Sequence, residues 1–235
     1  MLTQHDTHLW SVRHEFKVRG LAISSRMTVV RLEGDQLWLH SPVPLRRALQ
    51  NELTALGRVR WLVAPSCAHD LFLHQACETF PDAEVWVAPG LLGAATAPPG
   101  ARTLDREALA QWRPSLDGVL IQGMPQVNET LWFHRPSGTL IVTDLLQWWQ
   151  GSLRWSTLVW AHAMGVRKRV GVSRFFGRFV QDQRAFHHSL AVVSDWPVRR
   201  ALLCHDAELH WNTPALALAD VGQALGLSLS DQAPT

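Results

Sequence analysis

The chain has 235 residues, 47% of them hydrophobic and 18% charged, which is enough to bury a sizeable core, and we expect a single domain over residues 1–235. A formal net charge of +2 is too small to indicate a general polyanion-binding protein. The N-terminus does not resemble a secretory signal, no apolar run approaches the roughly 18 residues of a membrane span, and three cysteines do not form a disulfide framework, so we expect a cytoplasmic protein.

The first half of the chain alternates β-rich runs with helical patterns. Two β-rich runs around Glu33-Gly34-Asp35 predict a hairpin, because a glycine between such runs favours a turn. Leucines spaced at helical intervals predict an amphipathic helix over 44–56, which ends at Gly57. The elements expected next are a strand over 58–64, a helix over about 70–80 and a strand over 84–88.

A loop of small residues over 93–100 separates this half from a second β-rich region. The elements expected after the loop are strands over 118–122, 130–134 and 139–143, helices over 156–164 and 182–193, a strand over 200–204 and a helix over 214–225. Hairpins in both halves with helices between them favour two sheets packed face to face over one doubly wound sheet. The expected fold class is therefore α/β, an αββα sandwich of two mixed β-sheets flanked by helices.

The chemistry that the sequence indicates lies at the ends of predicted strands, where rigid scaffolds place functional side chains. Two imidazoles and two carboxylates can hold Zn, Mn or Fe, and a metal with an open position lowers the pKa of a bound water to near 7. Each residue alone is more often structural, so the joint pattern carries the prediction. The residues that follow the predicted strands are His40, His69, Asp70, Asp144 and His205.

Several short segments, in this order, resemble the metallo-β-lactamase superfamily, and more closely an uncharacterised bacterial branch of it. The segments are Arg26–Leu32, Leu37–Pro42, Leu62–Pro65, Phe133–Ser137 and Leu140–Leu145. The resemblance covers about residues 16–210. It implies the αββα fold that the superfamily shares with glyoxalase II.

The metal loop departs from the superfamily pattern. The superfamily has His-x-His-x-Asp-His where this chain has Pro65-Ser66-Cys67-Ala68-His69-Asp70. Pro65 and Cys67 occupy the positions of the first two histidines, and the third ligand would fall near Met124. The resemblance therefore implies that the first metal site is absent.

For the second metal site, the resemblance implies a modified set of ligand residues. His69 and Asp70 occupy the positions of the Asp-His pair, while Asp144 and His205 match the bridging aspartate and the final histidine. We expect one divalent metal bound by some subset of these four residues, with zinc first and iron or manganese as alternatives. The other possibility is a degenerate site without metal, whose polar groups only hydrogen-bond to one another.

Three further residues are candidates for supporting roles. His40 occupies the position of an aspartate at an early strand end of the superfamily, where it would orient a ligand by hydrogen bonding. Asp70 and Glu129 are the candidate catalytic residues, and Glu129 would act as a general base, although such a residue is more often a solvated turn carboxylate. Cys67 is a weak candidate for a soft ligand beside His69, since it lacks a C-x-x-C partner.

A basic segment over 165–179 carries five cations and no acid, interleaved with phenylalanines. It could bind a phosphate-bearing substrate, single-stranded nucleic acid or a membrane surface, or it could be a connector whose phenylalanines enter the core. In the superfamily this stretch commonly lies near the active-site rim. The candidate rim residues are Trp148, Arg167, Arg169 and Arg174, and Trp149, Trp155 and Trp160 would make the rim aromatic, suited to an aromatic substrate or a homodimer contact.

The function expected from these residues is a mononuclear hydrolase, in which a metal-bound water attacks an ester, thioester, lactone or phosphoester. The substrate would be a small molecule, anionic or aromatic. The alternative is a non-catalytic binding or scaffolding member of the fold that has lost its metal. A nucleic-acid-associated protein that uses the basic segment is less favoured.

Overall fold

The computed structural model describes residues 1–18, 20–205 and 208–210, which form two β-sheets with helices on their outer faces. The strands are β1 (Thr3–Asp6), β2 (Leu9–Val18), β3 (Leu21–Leu32), β4 (Gln36–His40), β5 (Arg58–Ala64), β6 (Glu84–Val87), β7 (Arg102–Thr103), β8 (Leu116–Leu120), β9 (Thr130–His134), β10 (Thr139–Val142), β11 (Arg200–Leu203) and β12 (Glu208–His210). The helices are α1 (Arg47–Leu56), α2 (Leu73–Thr79), α3 (Arg106–Leu109), α4 (Trp155–Ala163), α5 (Arg174–Gly177) and α6 (Gln183–Ser194).

Both sheets are mixed. Among the described residues, seven strands form one sheet in the order β1 to β7, which is antiparallel from β1 to β4 and parallel from β4 to β7. The other sheet has the order β12-β11-β10-β9-β8, and its parallel pair is β10 with β11. The fold class expected from the sequence is confirmed.

The alternation of side chains along the strands separates three apolar layers. Successive residues of a strand point to opposite faces, so a strand that is apolar throughout is covered on both sides. In β9, Trp132 packs between the two sheets, whereas Leu131 and Phe133 pack outward against Phe186 and Leu190 of α6. On the other side, the outward face of the seven-stranded sheet is covered by α1 and α2.

The predicted elements agree with the structure over most of the chain. The strand over 58–64 and the strand over 130–134 have the predicted bounds, and the helix predicted over 44–56 begins at Arg47. β1 and β2 are not among the predicted strands: β1 has only four residues, and although Val12, Phe16 and Val18 alternate with charged residues in β2, the second half of that strand is largely exposed. The helix predicted over 214–225 lies outside the described residues. In the described part of the chain, every helix is too short or too polar to cross a bilayer.

A cluster of tryptophans fills the space between the sheets. The ring of Trp132 lies 5.1 Å from Trp38 and 5.2 Å from Trp112, both edge-on, and all three side chains are buried. Gly118 on the adjacent strand makes room for this ring, because a Cβ there would lie 2.8 Å from it. Edge-on aromatic packing of this kind adds to the stability that comes from burial.

We expect Trp132→Ala to lower the free energy of unfolding by about 3–5 kcal/mol, because it leaves a cavity at the centre of the molecule. Urea denaturation followed by far-UV circular dichroism measures this change. Trp155→Ala is the matched control, since Trp155 is 79% exposed, and it should change stability by less than about 0.5 kcal/mol. Equal effects of the two substitutions would contradict this account of the core.

Candidate functional site

Polar side chains from both sheets meet at one edge of the sandwich. His69 lies in the loop after β5, and Asp144 and His205 follow the parallel strands β10 and β11. The Nε2 atom of His69 lies 3.2 Å from Oδ2 of Asp144, and the Nε2 atom of His205 lies 3.0 Å from Oδ1. The two oxygens of one buried carboxylate therefore each face one imidazole.

Cys204 completes this cluster. One ligand atom from each of His69, Cys204 and His205 lies within 4.8 Å of the others, and all three side chains are buried. The Sγ atom of Cys204 also accepts a hydrogen bond from the backbone N–H of Arg26 at 3.3 Å. We call His69, Asp144, Cys204 and His205 the cluster.

The orientation of His205 is set by two neighbours. Its Nδ1 atom lies 2.6 Å from the carbonyl oxygen of Ser24, and its ring stacks on Trp149 with the centroids 5.4 Å apart. Because a carbonyl oxygen can only accept, Nδ1 carries the proton. A neutral His205 therefore presents the lone pair of Nε2 to Asp144, an arrangement that needs a cation or a second proton between the two atoms.

His69 is held by a hydroxyl group on the opposite side of its ring. The Oγ atom of Ser41 lies 2.8 Å from Nδ1 of His69, and the Sγ atom of Cys204 lies 3.6 Å from the same nitrogen. Ser41 follows the end of β4 and has a φ of 53°, in the left-handed region that non-glycine residues seldom occupy. Strained residues of this kind concentrate at functional sites.

Glu129 holds the loop that carries Asp144. Its carboxylate accepts backbone N–H groups from Thr143 at 2.7 Å, Asp144 at 3.1 Å and Leu145 at 2.8 Å. Burial, with a further contribution from the charge of Asp144, raises the pKa of Glu129 to about 7, although the hydrogen bonds from Thr143 act to lower it. The structure thus places Glu129 at the strand ends, beside the cavity described below but not in its lining. Its predicted role as a general base stays a prediction.

The charges of the cluster are strongly coupled. Burial acts to raise the pKa of Asp144, but His69 and His205 outweigh it and hold that pKa well below its usual range. Burial acts to lower the pKa of His69, but Cys204 and Asp144 raise it well above the ordinary value. Burial likewise acts to raise the pKa of Cys204, while His69 and His205 lower it to about 6. Each of these shifts favours the charged form of the group, the cation for His69 and the anion for Asp144 and Cys204.

This donor set fits a divalent cation. With both imidazoles neutral, the carboxylate and the thiolate supply two negative charges, and nitrogen, oxygen and sulfur ligands together are typical of zinc. The buried carboxylate of Asp144 has an imidazole nitrogen beside each of its oxygens, so the three side chains present ligand atoms to one another. The contact of His205 with the Ser24 carbonyl is the kind of support that fixes metal-binding histidines.

The cluster borders a cavity of about 600 Å³. His69, Asp144 and His205 line its inner end together with Ser41 and Asp70. Most of the remaining wall is aliphatic or aromatic. Such a cavity, largely apolar with a few polar groups at one end, is typical of a small-molecule site.

Two residues predicted from the sequence lie beside the cluster rather than in it. Asp70, predicted as a metal ligand, lines the cavity and is partly buried. The residue that groups with His69 and His205 is Cys204 instead. His40 is buried and stacks on Trp38 at 5.2 Å, and neither ring nitrogen has a hydrogen-bond partner among the described residues. Burial lowers the pKa of His40 to about 3, so its ring is neutral.

The residues predicted for the rim occupy other positions. Trp148 packs against the core beneath the five-stranded sheet, and its neighbour Trp149 lines the cavity. Arg167 donates to the carbonyl oxygens of Trp149 and Gly151, and Arg174 donates to that of Ala163. Arg169 is exposed. The part of the basic segment that reaches the cavity is Phe175-Phe176.

Three residues of the site were missed or undervalued in the sequence. Cys204 directly follows a buried strand and precedes His205, and this position was the available signal. Trp149 lines the cavity, whereas its neighbour Trp148 packs against the core. Which of the two faces the cavity depends on the nearby β-bridge between Gln147 and Gly171. The left-handed conformation of Ser41 has no sequence signal, because it does not involve glycine or asparagine.

We expect Glu129→Gln to lower the free energy of unfolding by about 2 kcal/mol, because an amide cannot accept from all three backbone N–H groups. The same change should weaken zinc binding by about tenfold to a hundredfold, since it releases the loop that carries Asp144. Chemical denaturation and a competitive zinc titration measure the two effects. Glu78→Gln on the exposed side of α2 is the control, and a similar loss there would contradict the role given to Glu129.

Comparison with known proteins agrees with this geometry. A family model described as Domain of unknown function (DUF4336) matches residues 6–148, and a search of curated proteins gave no match. A metallo-beta-lactamase from Pontibacter korlensis superposes with a TM-score of 0.63 at 11% identity, over 93% of this chain and 97% of that one. A flavodiiron protein from Giardia intestinalis superposes with a TM-score of 0.64 at 13% identity, over 95% of this chain and 59% of that one.

These identities show a common fold and nothing narrower. The chain spans 59% of the length of the flavodiiron protein, so that match concerns one part of a longer chain. The family match covers more than half of the present chain. The chain therefore belongs to the DUF4336 family and has the metallo-β-lactamase fold that its sequence resembles.

Proposed function

We propose that the chain is a hydrolase with a single divalent metal ion, zinc in the first place, bound by His69, Asp144, Cys204 and His205. The observation that supports this most strongly is the pair of Nε2 atoms at 3.2 Å and 3.0 Å from the two oxygens of Asp144. Because the Nε2 atom of a neutral His205 presents a lone pair to Asp144, either a metal ion lies between these two groups or the imidazole of His205 carries a second proton. We favour the metal ion.

A metal at this position would polarise a carbonyl or phosphoryl group and lower the pKa of a water molecule. The chain's own residues would do the rest. The Ser24 carbonyl and Trp149 hold the ring of His205 in place, and Asp70 in the cavity wall is the proposed group that accepts and returns a proton. The substrate would reach the cluster through the cavity, because three of the four cluster residues line it.

The first test is metal binding. Protein stripped with a chelator and reloaded with zinc should hold one ion per chain by elemental analysis, and His205→Asn should lose it. His188→Asn, an exposed histidine on α6, is the matched control and should bind zinc as the unmodified protein does. Retention of zinc by His205→Asn, or failure of the unmodified chain to bind zinc, would remove this proposal.

The thiolate ligand can be tested separately. Cobalt bound in place of zinc should give an intense near-ultraviolet band from sulfur-to-metal charge transfer, and Cys204→Ser should abolish that band. Cys77→Ser, at a half-buried thiol on α2, should leave the band unchanged. Zinc-dependent hydrolysis of 4-nitrophenyl acetate, absent after chelation, completes the test of hydrolytic activity.

A second candidate function is a hydrolase that uses Ser41 as its nucleophile without metal. The observation that favours it is the series of contacts from Ser41 Oγ to His69 Nδ1 at 2.8 Å and from His69 Nε2 to Asp144 at 3.2 Å. In this case Ser41 donates its proton to Nδ1, while the Nε2–H group faces Asp144. The tautomer of His69 distinguishes the two functions, because a metal requires a lone pair on Nε2.

Ser41→Ala separates these two candidates. A serine nucleophile predicts a loss of about 10⁴-fold in ester hydrolysis and no effect of a chelator. The metal centre predicts a loss of about a hundredfold or less, because Ser41 then only orients His69, together with complete inhibition by a chelator. Ser152→Ala, at an exposed serine outside the cavity lining, is the control, and labelling of Ser41 by a fluorophosphonate would favour the nucleophile.

A further inference from the structure

Resting on the proposed hydrolytic centre, we infer that its substrate is a neutral ester or thioester whose long apolar acyl chain lies in the cavity. Water adds to the acyl carbon, the bond to oxygen or sulfur breaks, and an alcohol or thiol leaves with a proton. The inference concerns the part of the substrate that the cavity holds and not the reaction itself. Three observations support it: the apolar wall of the cavity, the exposed apolar side chains at the rim of the cavity, and the charged groups in the cavity wall.

The wall is apolar on several sides of the cluster. The β2–β3 hairpin contributes Phe16 and aliphatic side chains, and the loops before α2 and α4, helix α4 and helix α5 contribute further aromatic ones. The residues that carry the argument are Leu21, Ile23, Phe72, Trp149, Trp160 and Phe176. A volume of about 600 Å³ bounded in this way removes a chain of many methylene groups from water.

Apolar side chains also remain exposed at the rim. Val18 is 39% exposed, Phe175 is 42% exposed and Leu71 is 62% exposed, and all three line the same cavity. Large apolar side chains gathered at one opening indicate a surface that a ligand covers. An extended chain that reaches from the cluster to this rim would bury them.

The charges disfavour a substrate with an anionic group at the outer end. Among the described residues, no lysine or arginine lines the cavity, and Asp70 and Asp144 are the acidic groups that do. Arg167 donates to the backbone carbonyls of Trp149 and Gly151, and Arg174 donates to that of Ala163, so both guanidinium groups are engaged with the backbone. The anionic alternative left by the sequence therefore lacks a cationic partner in the described part of the wall.

Binding can be measured without hydrolysis. The full chain, stripped of metal, is titrated in a calorimeter with 1-butanol, 1-hexanol, 1-octanol and 1-decanol, which have no bond to hydrolyse. Affinity should rise about fourfold for each added methylene, because each one transfers from water into the cavity. An affinity that does not change with chain length would overturn the inference.

A pair of leucines provides the matched variants. Leu71→Asp places a carboxylate at the rim and should weaken 1-decanol binding about tenfold or more. Leu92→Asp changes a leucine of similar exposure, 50% against 62%, that lies outside the cavity lining, and it should leave the affinity unchanged. Equal affinities in the two variants would place the alcohols elsewhere and overturn the inference.

Hydrolysis of 4-nitrophenyl acetate, butyrate, octanoate and decanoate by the zinc-loaded chain distinguishes the two proposals. A value of kcat/KM that rises with chain length supports both. Chain-length-dependent binding of alcohols without hydrolysis of any ester removes the hydrolase proposal and leaves the cavity as an acyl-binding site. Hydrolysis that is equally fast for all four esters, with alcohol binding independent of length, removes the inference and leaves the hydrolase.

Discussion

The buried carboxylate of Asp144 is the group on which the arrangement of the site depends. A carboxylate that is only 3% exposed is costly unless charges or hydrogen bonds compensate it, and the two imidazoles at 3.2 Å and 3.0 Å provide that compensation. His205 and Asp144 follow neighbouring parallel strands of one sheet, whereas His69 follows a strand of the other. Compensation of this one charge therefore requires the two sheets to keep their relative position. The tryptophan core between the sheets maintains that position, so the site depends on it.

A second buried carboxylate explains why Asp144 can take up this position. The strand β10 ends at Val142, and the next three backbone N–H groups would lack strand partners. The carboxylate of Glu129 accepts hydrogen bonds from all three of these N–H groups, those of Thr143, Asp144 and Leu145. The loop is thus fixed by hydrogen bonds to the backbone, and its one acidic side chain stays available for the histidines. Glu129 has a positioning role in this arrangement.

The sequence predicted the fold better than it predicted the site, and the reason is physical. Alternation along β9 and the leucine spacing of α1 depend on burial, which is read directly from residue types. The positions of His69, Asp144 and His205 follow from the strand ends and from the resemblance. Cys204 and Ser41 lie just after the ends of β11 and β4: the N–H of Cys204 donates to the carbonyl of Val142 in β10, and Ser41 has a left-handed backbone. No periodicity in the sequence reports either property.

The loop that lacks the superfamily's first two histidines has a structural use here. The carbonyl of Pro65 accepts the backbone N–H of Thr130 at 2.8 Å, and the N–H of Cys67 donates to Val127 at 2.9 Å, so the loop is joined to the start of β9. Met124 and Val127 are buried next to it. The positions at which the resemblance would place the three histidines of a first metal therefore carry a proline, a free thiol and a buried methionine. With the single ion that we propose, less of the binding energy for a substrate would come from metal contacts than with two. The apolar wall of the cavity would then supply most of that energy, in agreement with polar groups gathered around the cluster and apolar side chains over most of the remaining wall.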